Sequence, residues 1–267
     1  TAPQYRTAQL VHGETKAGRV ELAVLFWNDG RQYAVRDSAQ VIIAKGVRHA
    51  QTFGISKLSS KWGRTTLSGF AYYQTGMDAK GRQLNAYDAS VQVSRLVRER
   101  VDGRNQLRLT FGGELISGTA NNATDGGNRS FSPLYGTNHM HNGYMDLFFV
   151  GGRHEGSTGL LDVFLRGKWE FTPTTFVSLN THVFSTQAGI YRSGMRQNDL
   201  LGTELDANAG FLVSRSVSVQ CGYSQLFATG TLELIQAVAA PQRVQNWGYL
   251  MLIVRPGSDK RTIGLLF

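Results

Sequence analysis

The chain has 267 residues, a formal net charge of +9 at pH 7 and one cysteine, Cys221. This length suits one large domain or two small ones, and a single cysteine excludes an internal disulfide framework. No apolar run reaches the ~18 residues of a membrane-spanning helix. The basic residues are spread along the chain and no nucleic-acid-binding motif accompanies them, so we expect no nucleic-acid partner. A solvated basic surface and a cationic water-filled lumen both stay open as explanations of the charge.

Alternation of apolar and polar residues is the strongest pattern in the chain. Leu161, Val163 and Leu165 fall on one face of an extended segment, whereas Asp162 and Arg166 fall on the other. No helical period interrupts the series. The pattern predicts an all-β fold, an antiparallel transmembrane β-barrel with lipid outside and water inside. The predicted strands are 4–11, 18–28, 47–57, 64–74, 84–97, 105–117, 159–171, 175–184, 203–213, 216–227 and 245–255.

The connections between these strands alternate between two length classes. The short polar turns are 13–17, 59–63, 99–104, 172–174 and 214–215. The long connectors are 29–46, 75–83, 118–158, 185–202 and 228–244. In outer-membrane barrels the short turns are periplasmic and the long loops are extracellular. We therefore expect the outer membrane of a Gram-negative bacterium as the location, and outer-membrane lipid as a partner.

The strand count raises a question of closure. The first and last predicted strands run in the same direction, whereas bacterial single-chain barrels close antiparallel with an even number of strands. An additional strand from the tail 262–267 would correct the count, but six residues are fewer than the ~9–11 that cross a membrane. We therefore expect residues 1–267 to form a single domain that is the C-terminal part of a larger barrel.

The same alternation assigns charged side chains to the lumen. Rings of Arg and Lys favour anions, and nearby carboxylates keep an anion from being trapped. The sequence thus predicts a channel that passes hydrophilic, anionic solutes by diffusion. The candidate pore-lining residues are Arg19, Arg108, Glu114, Asp162, Arg166, Lys168, Glu170, His182, Glu204 and Asp206.

The connector 118–158 is too long to be an idle loop. Its segment 144–150 is apolar and aromatic, and exposure of such a segment outside the membrane would be costly. We expect it to fold back and narrow the pore; an extra short strand, or packing on neighbouring loops, is the alternative. The candidate constriction residues are Tyr135, His139, Tyr144 and Asp146.

Two chemical alternatives are weaker. His139, His141 and Asp146 carry metal-binding groups, but an H-x-H pair in a loop rich in Gly and Asn is more often hydrogen-bonded than ligating. Glu204 and Asp206 share a strand face as paired carboxylates of a glycosidase do, although a charge ladder across strands explains them more simply. No P-loop, nucleophile elbow or dinucleotide fingerprint occurs. We expect no metal, no cofactor and no enzymatic activity.

Several short motifs occur in one order along the chain. They are YYQTG at 72–76, ELISG at 114–118, SPLYGTNH at 132–139, NGYMD at 142–146, GTELD at 202–206 and GYS at 222–224. This series resembles the alginate export family of outer-membrane barrels. The resemblance implies an 18-stranded pore for a polyanionic polysaccharide, of which about eleven strands lie in this chain. The alternative is a structural or binding barrel subunit that contacts other proteins of the cell envelope.

Overall fold

The protein is a sheet of strands that follow one another in chain order. The computed structural model describes residues 5–98, 105–133, 141–148, 157–237 and 240–255. Eleven strands form one antiparallel sheet in which every strand pairs with its neighbours along the chain, and the short β9 and β10 form a separate hairpin. The elements are β1 (Tyr5–Ala17), β2 (Val20–Arg36), β3 (Ile42–Trp62), β4 (Thr65–Met77), β5 (Gln83–Arg98), β6 (Gln106–Ile116), β7 (Leu160–Thr172), β8 (Thr175–Ser185), β9 (Tyr191–Arg192), β10 (Met195–Arg196), β11 (Leu200–Ser214), β12 (Val217–Ala228), α1 (Gly230–Gln236) and β13 (Val244–Val254).

The all-β antiparallel architecture with eleven strands in the main sheet is confirmed. Two-residue turns join strands at one end, and the longer connectors lie at the other; we call these the turn end and the connector end. Both outer strands, β1 and β13, run toward the turn end, and no pairing joins them in the described part of the chain. The predicted turn 99–104 and the tail 262–267 lie outside the described residues.

The bounds of several predicted connections are wrong: residues 13–17 belong to β1 and residues 59–62 to β3, and the largest error concerns the connector 29–46. Residues 29–46 were expected to form a loop, but β2 continues to Arg36 and β3 begins at Ile42. Within the continued pairing, the Arg48 guanidinium lies over the Tyr33 ring, 3.8 Å from its centroid. The turn itself is closed by Asp37, whose carboxylate accepts the backbone N–H groups of Ala39 and Val41, each at 2.9 Å.

The polarity of the sheet is the reverse of that of a soluble protein. On β7, Leu161, Val163 and Leu165 are 38%, 38% and 53% exposed, whereas Asp162 is 1% exposed. Exposed apolar side chains recur on the same face of the other strands. The charged face is the concave one, because residues from β3 through β8 line a single cavity.

A β-bulge in β3 changes which side chains face outward. Ile55 pairs with Val24, and Lys57 pairs with Ala23, so Ser56 has no opposite residue on β2. A bulge inserts one residue and reverses the alternation beyond it. Lys57 therefore points inward, where its Nζ lies 2.9 Å from Glu21 Oε2. Trp62 points outward as a result.

A buried apolar cluster closes the connector end of the concave face. It includes Ile116, Phe131, Phe184, Ile190 and Leu226. The short helix α1 contributes Leu232 to this cluster, and Thr229 caps the first turn of the helix. In the described part of the chain, no helix has the length and hydropathy needed to cross a membrane.

Candidate functional site

The convex face carries a sharp boundary between apolar and polar side chains. Across five neighbouring strands, one row of directly opposed residues is aromatic or aliphatic. The next outward-facing row toward the connector end is polar and is partly joined by hydrogen bonds. The apolar row is Val11, Phe26, Phe53, Tyr73 and Tyr87, and the polar row is Gln9, Asn28, Gln51, Thr75 and Asn85.

The contacts within the two rows match a membrane interface. The Phe53 and Tyr73 rings pack edge to face, with centroids 5.6 Å apart. The Asn28 amide donates to Gln9 Oε1 at 2.5 Å and accepts from Gln51 Nε2 at 2.8 Å. Aromatic girdles flank the apolar band of outer-membrane barrels, and polar groups follow them in the headgroup layer.

The height of the apolar band can be measured on β7. Leu161 and Phe171 are both outward and lie ten positions apart. At ~3.3 Å per residue this is roughly 33 Å along the strand, or about 25 Å vertically at the usual ~40° tilt. Such a band equals the ~25 Å apolar belt of outer-membrane barrels.

On the concave side, the segment 141–148 packs against β8 and β11. Glu204 Oε1 accepts the backbone N–H groups of Tyr144 at 2.7 Å and of Met145 at 3.0 Å. Gly143 has φ +82°, and a Cβ there would lie 2.6 Å from Glu204 Oε1. Only glycine therefore lets the backbone approach this carboxylate without strain.

Side chains of the segment add to this docking. Asn180 Nδ2 donates to the Tyr144 hydroxyl at 2.7 Å. The Phe148 and Phe184 rings lie 4.4 Å apart, and Gln236 Nε2 of α1 donates to the Leu147 carbonyl at 3.3 Å. Two non-glycine residues of the segment, Asn142 and Asp146, have left-handed backbones with φ 57° and 55°. Docking contacts must offset this backbone strain.

Carboxylates surround the docked segment. His182 Nδ1 lies 2.9 Å from Asp162 Oδ2, and His182 Nε2 lies 4.0 Å from Asp206 Oδ2. Glu114 is opposite Asp162 in the register of β6 and β7. Asp162, Glu204 and Asp206 are at most 1% exposed. Two of these carboxylates are engaged by protein groups, Asp162 by His182 and Glu204 by the segment backbone.

Cations dominate the lumen wall nearer the turn end. Arg108 lies directly opposite Lys168. Arg166 lies opposite Thr110, two positions further along each strand and on the same face. Like charges that face each other across a strand pair destabilise it. Lys168 Nζ is 3.2 Å from Glu170 Oε1, but Arg108 has no hydrogen bond or ion pair with the described residues.

A cavity of about 670 Å³ lies between the segment 141–148 and this cationic wall. The Arg166 guanidinium stacks on the Phe164 ring at 4.0 Å, and its Nε is buried without a hydrogen-bond partner in the described residues. Phe70, Tyr144 and several Ser, Gln and Asn side chains complete the lining. The cavity thus offers cations, ring faces and hydrogen-bonding groups to a solute.

His141 lies at the edge of this cavity. Burial lowers the pKa of His141, and the nearby positive charge of Arg166 lowers it further. Among the residues that the structure describes, no three His, Cys, Asp or Glu side chains are arranged to hold a metal ion.

The candidate residues fall into four groups, one of which is the pair Tyr144 and Asp146 in the docked segment. Most of them share the concave face, but Arg19 lies in the exposed turn 18–19 between β1 and β2, because Gly18 with φ +58° closes the hairpin there. Asp146 is half-buried in the docked segment. Tyr135 and His139 lie outside the described residues. The residues on the concave wall are Arg108, Glu114, Asp162, Arg166, Lys168, Glu170, His182, Glu204 and Asp206.

Sequence reasoning missed the apolar residues on the charged face. Phe164 and Phe184 point inward, 4% and 0% exposed, and contact Arg166 and Phe148 respectively. A usable signal was present, because Phe164 stands at an even position of β7, between Asp162 and Arg166.

Comparison with known proteins gives little beyond the fold. No protein-family model and no curated protein matches the sequence. Among solved structures, an outer membrane channel from Pseudomonas putida F1 is similar with a TM-score of 0.40 and 11% identity, over 92% of this chain and 82% of that one. A similarity this distant transfers no function. The resemblance of the motifs to the alginate export family has no counterpart in these comparisons and stays a prediction.

Proposed function

We propose that this chain forms part of the wall of an outer-membrane channel that passes hydrophilic solutes. The observation that carries the proposal is the reversed polarity of the sheet, with Leu165 exposed at 53% and Asp162 buried at 1% on the same strand. Such a surface is stable only against hydrocarbon, and the polar boundary at Asn28 and Gln51 matches the edge of a bilayer. Outer-membrane lipid is then the partner of the convex face.

The selectivity that we propose is for anions. Arg108, Arg166 and Lys168 occupy two adjacent rungs of one strand pair, with Glu170 as the neighbouring counter-charge. An anion between Arg108 and Arg166 would relieve their mutual repulsion. The carboxylates nearer the connector end compete less than their number suggests, because His182 and the backbone of the segment 141–148 occupy two of them.

In this proposal the segment 141–148, which belongs to the connector 118–158, forms the constriction. Its position between β8, β11 and the cavity narrows the path along the concave face. Loops that fold into a barrel commonly reduce a pore in this way. The docking depends on a few hydrogen bonds and one ring pair, so the segment is a removable obstacle rather than part of the wall.

An anionic oligosaccharide is the solute class that we propose. The cavity combines arginines with ring faces and with Ser, Gln and Asn side chains, which bind sugar carboxylates, ring faces and hydroxyls respectively. The motif series that resembles the alginate export family supports the same class. Each contact stays solvated and weak, so a solute can move from one cation to the next.

Conductance of the purified protein in a planar lipid bilayer tests the proposal. We expect stable single-channel currents and, under a salt gradient, a reversal potential that indicates anion preference. Uronate oligosaccharides should reduce the current reversibly, whereas neutral oligosaccharides of equal length should do so less. Absence of current would favour a structural subunit of an envelope assembly, and cation preference would contradict the proposed selectivity.

A further inference from the structure

The β2–β3 hairpin continues well past the polar row on the convex face. We call its residues 29–50 the overhang. Asn28 marks the polar row on β2, and Arg36 ends that strand eight positions later. At ~3.3 Å per residue, this is roughly 26 Å of strand beyond the membrane boundary. The overhang therefore traverses the whole headgroup layer of the leaflet at the connector end.

The outward side of the overhang carries two cations, Arg36 and Lys45, together with His49, and it carries no carboxylate. Arg36, Lys45 and His49 are exposed, and the alternation that directs Phe26 and Phe53 outward directs these three side chains outward too. The space above Gly30 gives independent evidence, since a Cβ there would lie 3.0 Å from His49 Cε1 and 2.9 Å from Val47 Cγ1. Lys45 forms no ion pair with any described residue.

The acidic residues of the overhang either face the concave side or already form contacts within the hairpin turn. Asp29 is 1% exposed, faces the concave side and lies 2.6 Å from Arg31 Nε. Asp37 closes the hairpin turn with its carboxylate. The outward face of the overhang is thus positively charged where the hairpin extends past the polar row.

We propose that the overhang binds the phosphate groups of lipopolysaccharide in the outer leaflet, with Lys45 and Arg36 as the ionic contacts. Below them, His49 would donate a hydrogen bond from Nε2, because its Nδ1 lies 3.2 Å from the Asn28 amide nitrogen. The same Asn28 amide donates to Gln9 and accepts from Gln51, which holds the side chains of the polar row in place. The proposal rests on the outer-membrane placement given above. It adds a specific lipid partner, which the channel activity does not require.

The opposite end of the sheet supplies the contrast. There β1 and β2, and likewise β3 and β4, are joined by turns of two residues, so neither of these hairpins extends beyond the membrane as the overhang does. Arg95 on β5 is an exposed, outward-facing cation near that end. It is a matched control, because it has the same charge and the same exposure on the other side of the apolar band.

Binding of purified lipopolysaccharide to the detergent-solubilised protein, measured by thermophoresis, tests the proposal. A surface cation contributes about a five-fold gain in affinity for an anionic membrane surface. We expect the double variant Lys45→Gln, Arg36→Gln to bind about 20-fold more weakly. Arg95→Gln should bind like the unaltered protein, and Lys45→Arg should retain most of the affinity.

Removal of the phosphates from the lipopolysaccharide should weaken its binding to the unaltered protein to the level of the double variant. Equal affinity for the intact and the dephosphorylated lipid would overturn the proposal, as would equal affinity of the double variant and the unaltered protein. Self-association that depends on Lys45 and Arg36, without lipid binding, would overturn it in favour of a protein contact. Bilayer currents measured on the same preparation show separately whether the channel proposal holds.

Discussion

Glu204 on β11 accepts the backbone N–H of Tyr144 at 2.7 Å, although 60 positions separate the two residues in the chain. The same oxygen also accepts the N–H of Met145 at 3.0 Å. One carboxylate oxygen therefore connects the docked segment to the wall of the sheet. Replacement of this single side chain tests whether the segment obstructs the lumen.

We expect Glu204→Ala to increase single-channel conductance. A buried donor left without its acceptor costs about 1–3 kcal/mol, so loss of both acceptor contacts removes a large share of the docking free energy. Glu233→Ala is the control, because the Glu233 carboxylate accepts from Arg243 at 3.1 Å on the connector side. Identical conductance of the two variants would show that the segment does not restrict the path.

Gly143→Ala should resemble Glu204→Ala. The added Cβ meets the Glu204 carboxylate at 2.6 Å, and alanine at φ +82° is strained by about 1 kcal/mol or more. Gly127→Ala, in the same connector, is the control, since its nearest atom lies 3.6 Å away and its backbone is not left-handed. Limited proteolysis of the connector should be faster for Gly143→Ala alone; equal rates would argue against close docking at this position.

Arg108→Glu should lower the preference for anions. The substitution changes the wall by two charges opposite Lys168 and changes the interaction with a passing anion by about 1–2 kcal/mol in water-filled surroundings. Arg19→Glu makes the same change of charge in the exposed turn 18–19. Reversal potentials under a salt gradient should shift for Arg108→Glu and little for Arg19→Glu. Equal shifts would mean that net charge, not the cavity, sets the selectivity.

Acidification should loosen the docked segment. Burial, reinforced by Arg166, lowers the pKa of His141 below its ordinary value of 6.5. Below pH 6.5 the undocked state binds a proton that the docked state excludes. Docking is therefore complete above pH 6.5 and weakens as the pH falls toward the lower pKa, by at most about 1.4 kcal/mol per pH unit. Conductance should rise over this range, and His141→Gln should remove the rise.

The part of the fold that depends on alternation was predictable. On β7, Leu161, Val163 and Leu165 are predicted to face outward and Asp162 inward, and the exposures agree. The length of the β2–β3 hairpin was not predictable, because Asp29-Gly30 resembles a hairpin turn in sequence. In the structure Asp29 forms an ion pair with Arg31, and the side chains of Thr7, Val47 and His49 cover Gly30. These long-range contacts decide the outcome and leave no local signal.

The site shows the same division. Strand parity assigns Glu204 and Asp206 to the lumen without any tertiary information. It cannot reveal that Glu204 binds the backbone of Tyr144, since that contact depends on the path of a distant connector. Nor does it reveal that Arg108 lies directly opposite Lys168, because that contact follows from the register between strands.

The extra residue in β3 keeps six following side chains on faces that unbroken alternation would reverse. If the strand paired regularly through Ser56, Lys57 would turn from Glu21 toward the hydrocarbon. A lysine at mid-bilayer depth costs about 2–4 kcal/mol in a barrel, and Leu58 and Trp62 would at the same time move to water. Deletion of Ser56 avoids this reversal, because Lys57 then follows Ile55 in regular alternation and stays opposite Ala23. A missing codon at this point would thus leave the rest of the strand on its present faces.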